Sequence, residues 1–284
     1  MEALNAARQL IRLALDEDIG SGDLTVLAVP PEVRARARLV AKEACVLSGL
    51  ELAPLVLEVF GADAHVSLEN GIHDGAEVKA GATVMTFDGR ARDLLTCERT
   101  VLNILQRLCG VATQAKKYKD ALGGQQLTVL DTRKTTPGFR HWEKKAVRDG
   151  GLTNHRMRLD QGVLVKENHI RAGGSIKLAL ANLAGKIKTD IPVEVEVTKW
   201  EEIEEALACG IKRLLLDNFT PAQLRELVPR IRAKATHAVF LEGSGGVTLE
   251  NLKDYASTGV DAVSVGALTH SVKSVDLSLL FEFA

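Results

Sequence analysis

The chain has 284 residues, and its 36 Lys and Arg are offset by 37 Asp and Glu, for a net charge of −1. That balance excludes the basic excess or basic arm by which a protein grips nucleic acid or an anionic membrane surface. With 46% hydrophobic and 26% charged residues the composition is that of a folded protein with a sizeable core, and 4% aromatics beside 24 Gly favour helices on a parallel sheet over an antibody-like sandwich.

Residues 1–20 are interrupted by Glu2, Arg8, Arg12, Asp16, Glu17 and Asp18 and so lack a signal-peptide core. No apolar run approaches the ~20 residues that span a bilayer, and a reduced, cytoplasmic setting is expected. Cys45, Cys97, Cys109 and Cys209 form no CxxC pair and have no His at metal spacing, so a zinc or disulfide framework is not expected. Cys97 and Cys109 fall on one helical segment and read as small buried residues.

Alternating segments at Arg34–Ala41, Ala64–Leu68 and Thr83–Asp88, separated by the Gly-containing turns Glu69-Asn70-Gly71 and Lys79-Ala80-Gly81, predict antiparallel strands. Leu50–Phe60 predicts a helix across them. The amphipathic stretch Leu94 to Lys119, with Leu102, Leu105 and Leu108 at helical spacing, predicts a long helix bridging the two halves. From about residue 125 the pattern changes to short apolar runs at Leu127–Leu130, Val163–Val165, Val193–Val197, Leu214–Leu216, Ala238–Leu241 and Ala262–Val265, alternating with helical segments. Thr198 before Trp200–Ala208, Thr220-Pro221 before Ala222–Ile231 and Thr248 before Leu249–Ser257 read as helix starts. Repeated βα units of this kind make a barrel or a doubly wound sheet.

In either fold, functional residues gather where strands end. Here those places read Asp131-Thr132-Arg133-Lys134, Lys166-Glu167-Asn168-His169, Glu196 with Lys199, Asp217-Asn218, Glu242-Gly243-Ser244-Gly245-Gly246 and Gly266-Ala267. Between Asp131 and Arg171 ten Lys and Arg face five Asp and Glu, a local charge of +5, with His141, His155 and His169 beside them. A mixed Arg and Lys cluster suits a small ligand with several anionic groups; the alternative is a solvated charged face, above all for Lys144, Lys145 and Arg158. Glycine turns in two consecutive terminal βα units, one with the Ser244 hydroxyl, point to a phosphate site rather than to plain turns. Glu196 and Asp217 end successive strands and could bind Mg2+, bond sugar hydroxyls, act as acid and base, or pair with Lys166 or Lys199. Glu194 and Glu196 share one strand face, which makes an inward acidic row.

The chain resembles the quinolinate phosphoribosyltransferases (carboxylating nicotinate-nucleotide pyrophosphorylases) over nearly its whole length. The resemblance rests on Asp131-Thr132-Arg133-Lys134-Thr135-Thr136-Pro137-Gly138, Lys145-Ala146-Val147-Arg148, Asn154-His155-Arg156 and Val165-Lys166-Glu167-Asn168-His169-Ile170. It continues through Glu194-Val195-Glu196-Val197, Leu216-Asp217-Asn218, Ser244-Gly245-Gly246 and Val265-Gly266-Ala267-Leu268-Thr269-His270-Ser271, with Glu17-Asp18-Ile19-Gly20, Gly22-Asp23 and Glu98-Arg99-Thr100-Val101-Leu102-Asn103 upstream. Gly243 stands where the family commonly has Ala or Ser, and Glu167 where it commonly has Asp.

The resemblance implies an α/β chain with an N-terminal α/β sandwich domain over residues 1–115, including the bridging helix, and an incomplete α/β barrel over 116–270. Residues 271–284 are expected as a helix packing back on the N-terminal domain. The implied reaction joins quinolinate to 5-phosphoribosyl 1-diphosphate with Mg2+, giving nicotinate mononucleotide, diphosphate and carbon dioxide in NAD biosynthesis. Thr132, Arg133, His155, Arg156 and Lys166 are then assigned to quinolinate, and Lys134 lies close to both substrates. Glu196 and Asp217 are assigned to the ribose hydroxyls or Mg2+, and Ser244, Gly245, Gly246, Gly266 and Ala267 to the 5′-phosphate, with His270 nearby. Arg99 would reach the partner's site in a homodimer or a higher oligomer. No nucleic acid or membrane partner is expected.

Two other readings compete. A related phosphoribosyltransferase acting on another ring carboxylate would need fewer cations than Arg133, His155, Arg156 and Lys166 supply together. A non-catalytic phosphosugar-binding protein would gain nothing from placing Glu196 and Asp217 beside phosphates.

Overall fold

The computed structural model describes residues 2–284. In chain order the elements are α1 (Glu2–Ile19), β1 (Arg34–Ala41), β2 (Cys45–Val46), α2 (Leu52–Phe60), β3 (Ala64–Leu68), β4 (Glu77–Val78), β5 (Thr83–Arg90), α3 (Ala91–Ala121), β6 (Thr128–Leu130), α4 (Arg140–Asp149), β7 (Val163–Val165), α5 (Glu167–Gly173), α6 (Ile176–Leu183), β8 (Val193–Val197), α7 (Trp200–Ala208), β9 (Arg213–Asp217), α8 (Pro221–Lys234), β10 (Phe240–Ser244), α9 (Leu252–Ala256), β11 (Ala262–Ser264), α10 (Ala267–His270) and β12 (Leu277–Phe283). They form two compact units. The first holds the residues up to Lys116 together with Thr135–Gly151 and Leu268–Ala284; the second holds Lys117–Lys134 and Leu152–Ala267.

The first unit is built on a four-stranded antiparallel sheet in the order β12-β1-β5-β3. Strand β1 alternates: Ala35, Ala37 and Leu39 are buried, whereas Arg36 and Arg38 face outward and pair with Asp88 and Glu282. That period of two is what places one face of an antiparallel sheet on a core. Helix α3 buries Leu94, Cys97, Val101, Leu105, Leu108, Ala112 and Ala115, a stripe at steps of three and four that keeps one side of a 31-residue helix out of water. Burial pushes the thiols of Cys97 and Cys109 up to about 12, so they are inert packing groups.

Two features of this unit differ from the sequence reading. The last residues form a strand, β12, and not the expected helix: Leu277-Ser278-Leu279-Leu280-Phe281-Glu282-Phe283 is fixed as a strand by its ladder with β1, which runs from Ala35↔Phe283 to Ala41↔Leu277. It does return to the N-terminal sheet. Residues 135–151, read as part of the barrel domain, belong to the first unit. Their helix α4 has Glu143 and Lys144 fully buried, and Glu143 accepts from Arg107 Nη2 of α3 at 2.8 Å and from the Thr136 hydroxyl at 2.7 Å. A Cβ on Gly150 would lie 2.3 Å from the Ala112 carbonyl, so only glycine lets the end of α4 approach α3 this closely.

The second unit is a six-stranded parallel sheet in the order β6-β11-β10-β9-β8-β7 with helices between successive strands, the incomplete α/β barrel of the sequence reading. Its central strands are apolar runs, such as the buried Leu214, Leu215 and Leu216, because helices cover a parallel sheet. The end strands β6 and β7 do not pair with each other. Beside β6 the ladder is carried on by Thr153, bridged in parallel to Leu130, with the Asp131 amide donating to the Thr153 carbonyl and the Thr153 amide to that of Val129.

Helix α8 starts as predicted, with Pro221 in its first turn and the Thr220 hydroxyl accepting from the Gln223 amide. Strand β10 runs on to Ser244, beyond the predicted Leu241, because Gly243 pairs with Leu216 and Val263 in the flanking ladders, and those bonds override glycine's poor strand propensity. Helix α9 begins at Leu252 instead of Leu249, since the Thr248 amide is taken by Asn251 Oδ1 in a turn.

Candidate active site

Parallel strands all end on the same side of their sheet, so the residues that close them converge. Here all six strands deliver residues to one cavity of about 430 Å³, from Thr132 just after β6 and Lys166 after β7 to Glu196, Asp217, Ser244 and Ser264 in β8 to β11. Arg133, Lys134, His155 and Arg156 line it as well.

The cationic side is held by a buried acid. Asp131 has no exposed surface, and its carboxylate accepts from Asn154 Nδ2 at 2.6 Å and from the His155 amide at 2.8 Å. Two charge-assisted bonds thus pin the loop carrying His155 and Arg156 to the end of β6, beside Thr132-Arg133-Lys134. The Lys134 amide donates to Thr132 Oγ1 at 3.0 Å, which tightens that turn. The Arg156 guanidinium donates to the Gly162 carbonyl, and its pKa is lowered first by burial and then by the charge of Arg133. Holding these cations together favours an anion between them. After β7, the Lys166 amide donates to His169 Nδ1 at 3.0 Å, and Lys166 Nζ lies 3.3 Å from Glu196 Oε2.

Glu196 and Asp217 belong to neighbouring strands, paired at Glu196↔Leu215 and Val197↔Leu216, and both line the cavity. The salt bridge from Glu196 to Lys166 and the acidic row therefore exist together, and Lys199 turns instead to Glu202 at 3.7 Å. Ser244 closes β10, and Gly245 follows with φ +88°, where a Cβ would lie 2.2 Å from Asn218 Oδ1. Asn218 is itself left-handed, with φ 60°, and its amide donates to the Ser244 carbonyl at 2.8 Å. The Tyr255 hydroxyl donates to the Gly245 carbonyl at 3.2 Å. At Gly243 an added Cβ would meet nothing nearer than Val263 at 3.4 Å, so the space there would take an Ala.

Of the predicted residues, Thr132, Arg133, Lys134, His155 and Arg156 come together with Lys166, Glu196, Asp217 and Ser244. Gly245 and Gly246 follow Ser244 in the chain, and Gly266 and Ala267 follow β11, but none of the four lines the cavity. Arg99 and His270 lie in the first unit, both exposed; Arg99 is on α3 and His270 Nδ1 is 2.6 Å from Ser271 Oγ. The basic stretch does not act as one cluster: Lys144 is buried in the first unit, Lys145 Nζ is held by Asp74 at 2.5 Å and Asp149 at 2.9 Å, and Arg158 pairs with Asp160. Sequence reasoning gave no role to Asp131 or Tyr255, although Asp131 opens the motif it singled out. It counted Glu194 in the acidic row and Glu242 in the glycine turn. Both are buried beside His155, whose Nε2 lies 3.5 Å from Glu194 Oε2 and 3.6 Å from Glu242 Oε2. Burial, and then the charge of Glu194, pushes the Glu242 carboxyl up to about 7.

A parallel α/β sheet whose strand ends set cations, carboxylates and serine hydroxyls around one cavity defines a class of protein that takes a small, multiply anionic molecule there. Over residues 23–109 the chain matches the family description "Quinolinate phosphoribosyl transferase, N-terminal domain", and over 111–280 the corresponding C-terminal domain. It is 43% identical over 278 residues to "Nicotinate-nucleotide pyrophosphorylase (carboxylating)" of Mycobacterium leprae (strain TN), covering 97% of both chains. It is 37% identical to "Quinolinate phosphoribosyltransferase (decarboxylating) 1b" of Nicotiana tabacum, covering 95% of this chain and 81% of that one. The solved nicotinate-nucleotide pyrophosphorylase of Francisella tularensis superposes with a TM-score of 0.90 at 36% identity, over 98% of this chain and 97% of that one. The chain belongs to the quinolinate phosphoribosyltransferase family.

Proposed function

We propose that the cavity at the strand ends is where this chain transfers phosphoribosyl from 5-phosphoribosyl 1-diphosphate to quinolinate, with loss of carbon dioxide, to give nicotinate mononucleotide and diphosphate. The observation that carries the reading is the joint lining of one cavity by Arg133, Lys134, Arg156 and Lys166 and by the carboxylates Glu196 and Asp217. Cations alone would suit any anion. Carboxylates among them suit a ligand that also has sugar hydroxyls and a centre that turns positive during reaction.

The pyridine nitrogen attacks the anomeric carbon, and the bond from that carbon to diphosphate breaks, with the electron pair leaving on oxygen. Arg133, Arg156 and Lys166 hold the two ring carboxylates, which orients the nitrogen; Lys134 meets the negative charge that builds on the departing oxygens. Glu196 and Asp217 stabilise the positive charge at the anomeric carbon. The ribosylated ring is a cation, so when the carbon–carbon bond to the C2 carboxylate breaks, the ring takes the electron pair and a proton then replaces the lost group. No covalent link to the protein is needed. Glu196 and Asp217 are hard oxygen donors on adjacent strand ends, which fits Mg2+ held by one or two carboxylates with substrate phosphates completing its shell. Bound there, Mg2+ would neutralise diphosphate charge. Ser244, Gly245 and Gly246, with Gly266, Ala267 and His270, are assigned to the 5′-phosphate.

The exposed Arg99 fits a role across a homodimer interface, in the site of the partner. A cytoplasmic setting accords with the absence, among the described residues, of any helix long and apolar enough to cross a membrane. Incubation with quinolinate, 5-phosphoribosyl 1-diphosphate and Mg2+, following carbon dioxide and nicotinate mononucleotide, tests the reading. Folded protein that forms neither product refutes it.

A further inference from the structure

In the wall of the cavity, which it lines together with Glu242, His155 turns both ring nitrogens to groups of the protein. Its Nδ1 accepts the backbone N–H of Arg156 at 2.8 Å, so the Nδ1 lone pair is occupied and the ring proton sits on Nε2. Nε2 lies at ion-pair distance from two buried carboxylates, Glu194 on β8 at 3.5 Å and Glu242 on β10 at 3.6 Å. Glu242 has no exposed surface and Glu194 is 4% exposed, and the Nε of Arg213 lies 3.9 Å from Glu194 Oε1. The two acids are thus aimed inward at the histidine.

The three side chains also have the spacing of a metal site, with ligand atoms within 4.8 Å of one another. The histidine argues against that use. A metal on Nε2 would move the ring proton to Nδ1 and set it against the Arg156 N–H.

We propose that Glu242 is a positioning residue for the reaction: together with Glu194 it holds the Nε2 edge of the His155 ring electrostatically, at 3.5–3.6 Å, and through the Nδ1 of that ring it fixes the main chain, and so the guanidinium, of Arg156. The inference rests on the functional reading above for what Arg156 binds, but not for the state of the histidine. It alters the role of His155. The ring transmits the position of the sheet to the arginine that binds the carboxylates.

The test has two arms. In resting wild-type protein at neutral pH, 15N-edited NMR of the ring nitrogens should show the His155 proton on Nε2 and Nδ1 unprotonated; a proton on Nδ1, or on both nitrogens, overturns the proposal. This arm is independent of turnover, so failure of the activity itself is seen separately. In the second arm, Glu242→Gln keeps an oxygen acceptor in place and should leave KM for quinolinate within about twofold of wild type, whereas Glu242→Leu should raise it roughly tenfold with kcat changed far less. Equal effects of the two substitutions would overturn the positioning role. If Glu242→Leu does not fold, the NMR arm and the Glu242→Gln kinetics still decide.

Discussion

Glu242 makes the stability of the second unit depend on pH in a direction opposite to that of most carboxylates. Its pKa is raised from 4.5 to about 7, by burial first and by the charge of Glu194 next, so the native state binds the proton more tightly than the unfolded chain does. Its contribution to stability is therefore complete below pH 4.5 and is lost as pH rises through 7. The full shift is worth about 3 kcal/mol, of which about 2 to 3 kcal/mol falls between pH 5 and pH 8. Glu242→Gln removes the titration. Urea unfolding of both proteins, followed through Trp200 of the second unit in a Trp142→Phe background, should show the wild type losing that amount relative to the variant across the interval. Parallel pH profiles, or a wild type that gains on the variant as pH rises, would refute the assignment of a buried, proton-binding carboxyl.

Lys134→Ala and Arg99→Ala should each abolish turnover without a change in thermal melting. Equal mixing of the two after subunit exchange should restore about a quarter of wild-type activity, because half the dimers are hybrids with one intact site; no recovery would place Arg99 outside the partner's site. Glu143→Ala strips Arg107 of its buried partner and should cost the first unit about 3–5 kcal/mol, read from chemical unfolding through Trp142. Gly150→Ala should destabilise by about 1–3 kcal/mol, because its Cβ lies 2.3 Å from a backbone carbonyl, whereas Gly243→Ala, whose nearest neighbour is 3.4 Å away, should cost less than about 1 kcal/mol by the same measurement.

The sequence made the second unit legible because a parallel sheet writes its pattern locally: Val193–Val197 and Val163–Val165 are bounded as the runs of β-branched residues predict. The strand-end rule then located Arg133, Lys166, Glu196, Asp217 and Ser244 without any contact information. What it missed depends on partners far along the chain. Helix α4 reads as a basic surface segment until Arg107 is seen to bury Glu143, and Leu277–Phe283 is an ambiguous apolar run until β1 supplies its ladder. Asp131 and Glu242 look like ordinary acids at strand ends, since no local pattern tells a carboxylate facing water from one facing a histidine.

The gap between β6 and β7 gives the proposed recognition of quinolinate an unusual dependence. A closed barrel could lose a recognition loop and keep its wall; here the stretch from Thr153, bridged to β6, to Gly162, next to β7, runs between the two end strands, and His155 and Arg156 are carried on it. Selection for a sound scaffold and selection for ligand choice therefore act on the same ten residues. A lineage that altered this stretch to admit a different ring acid would have to solve a folding problem in the same step.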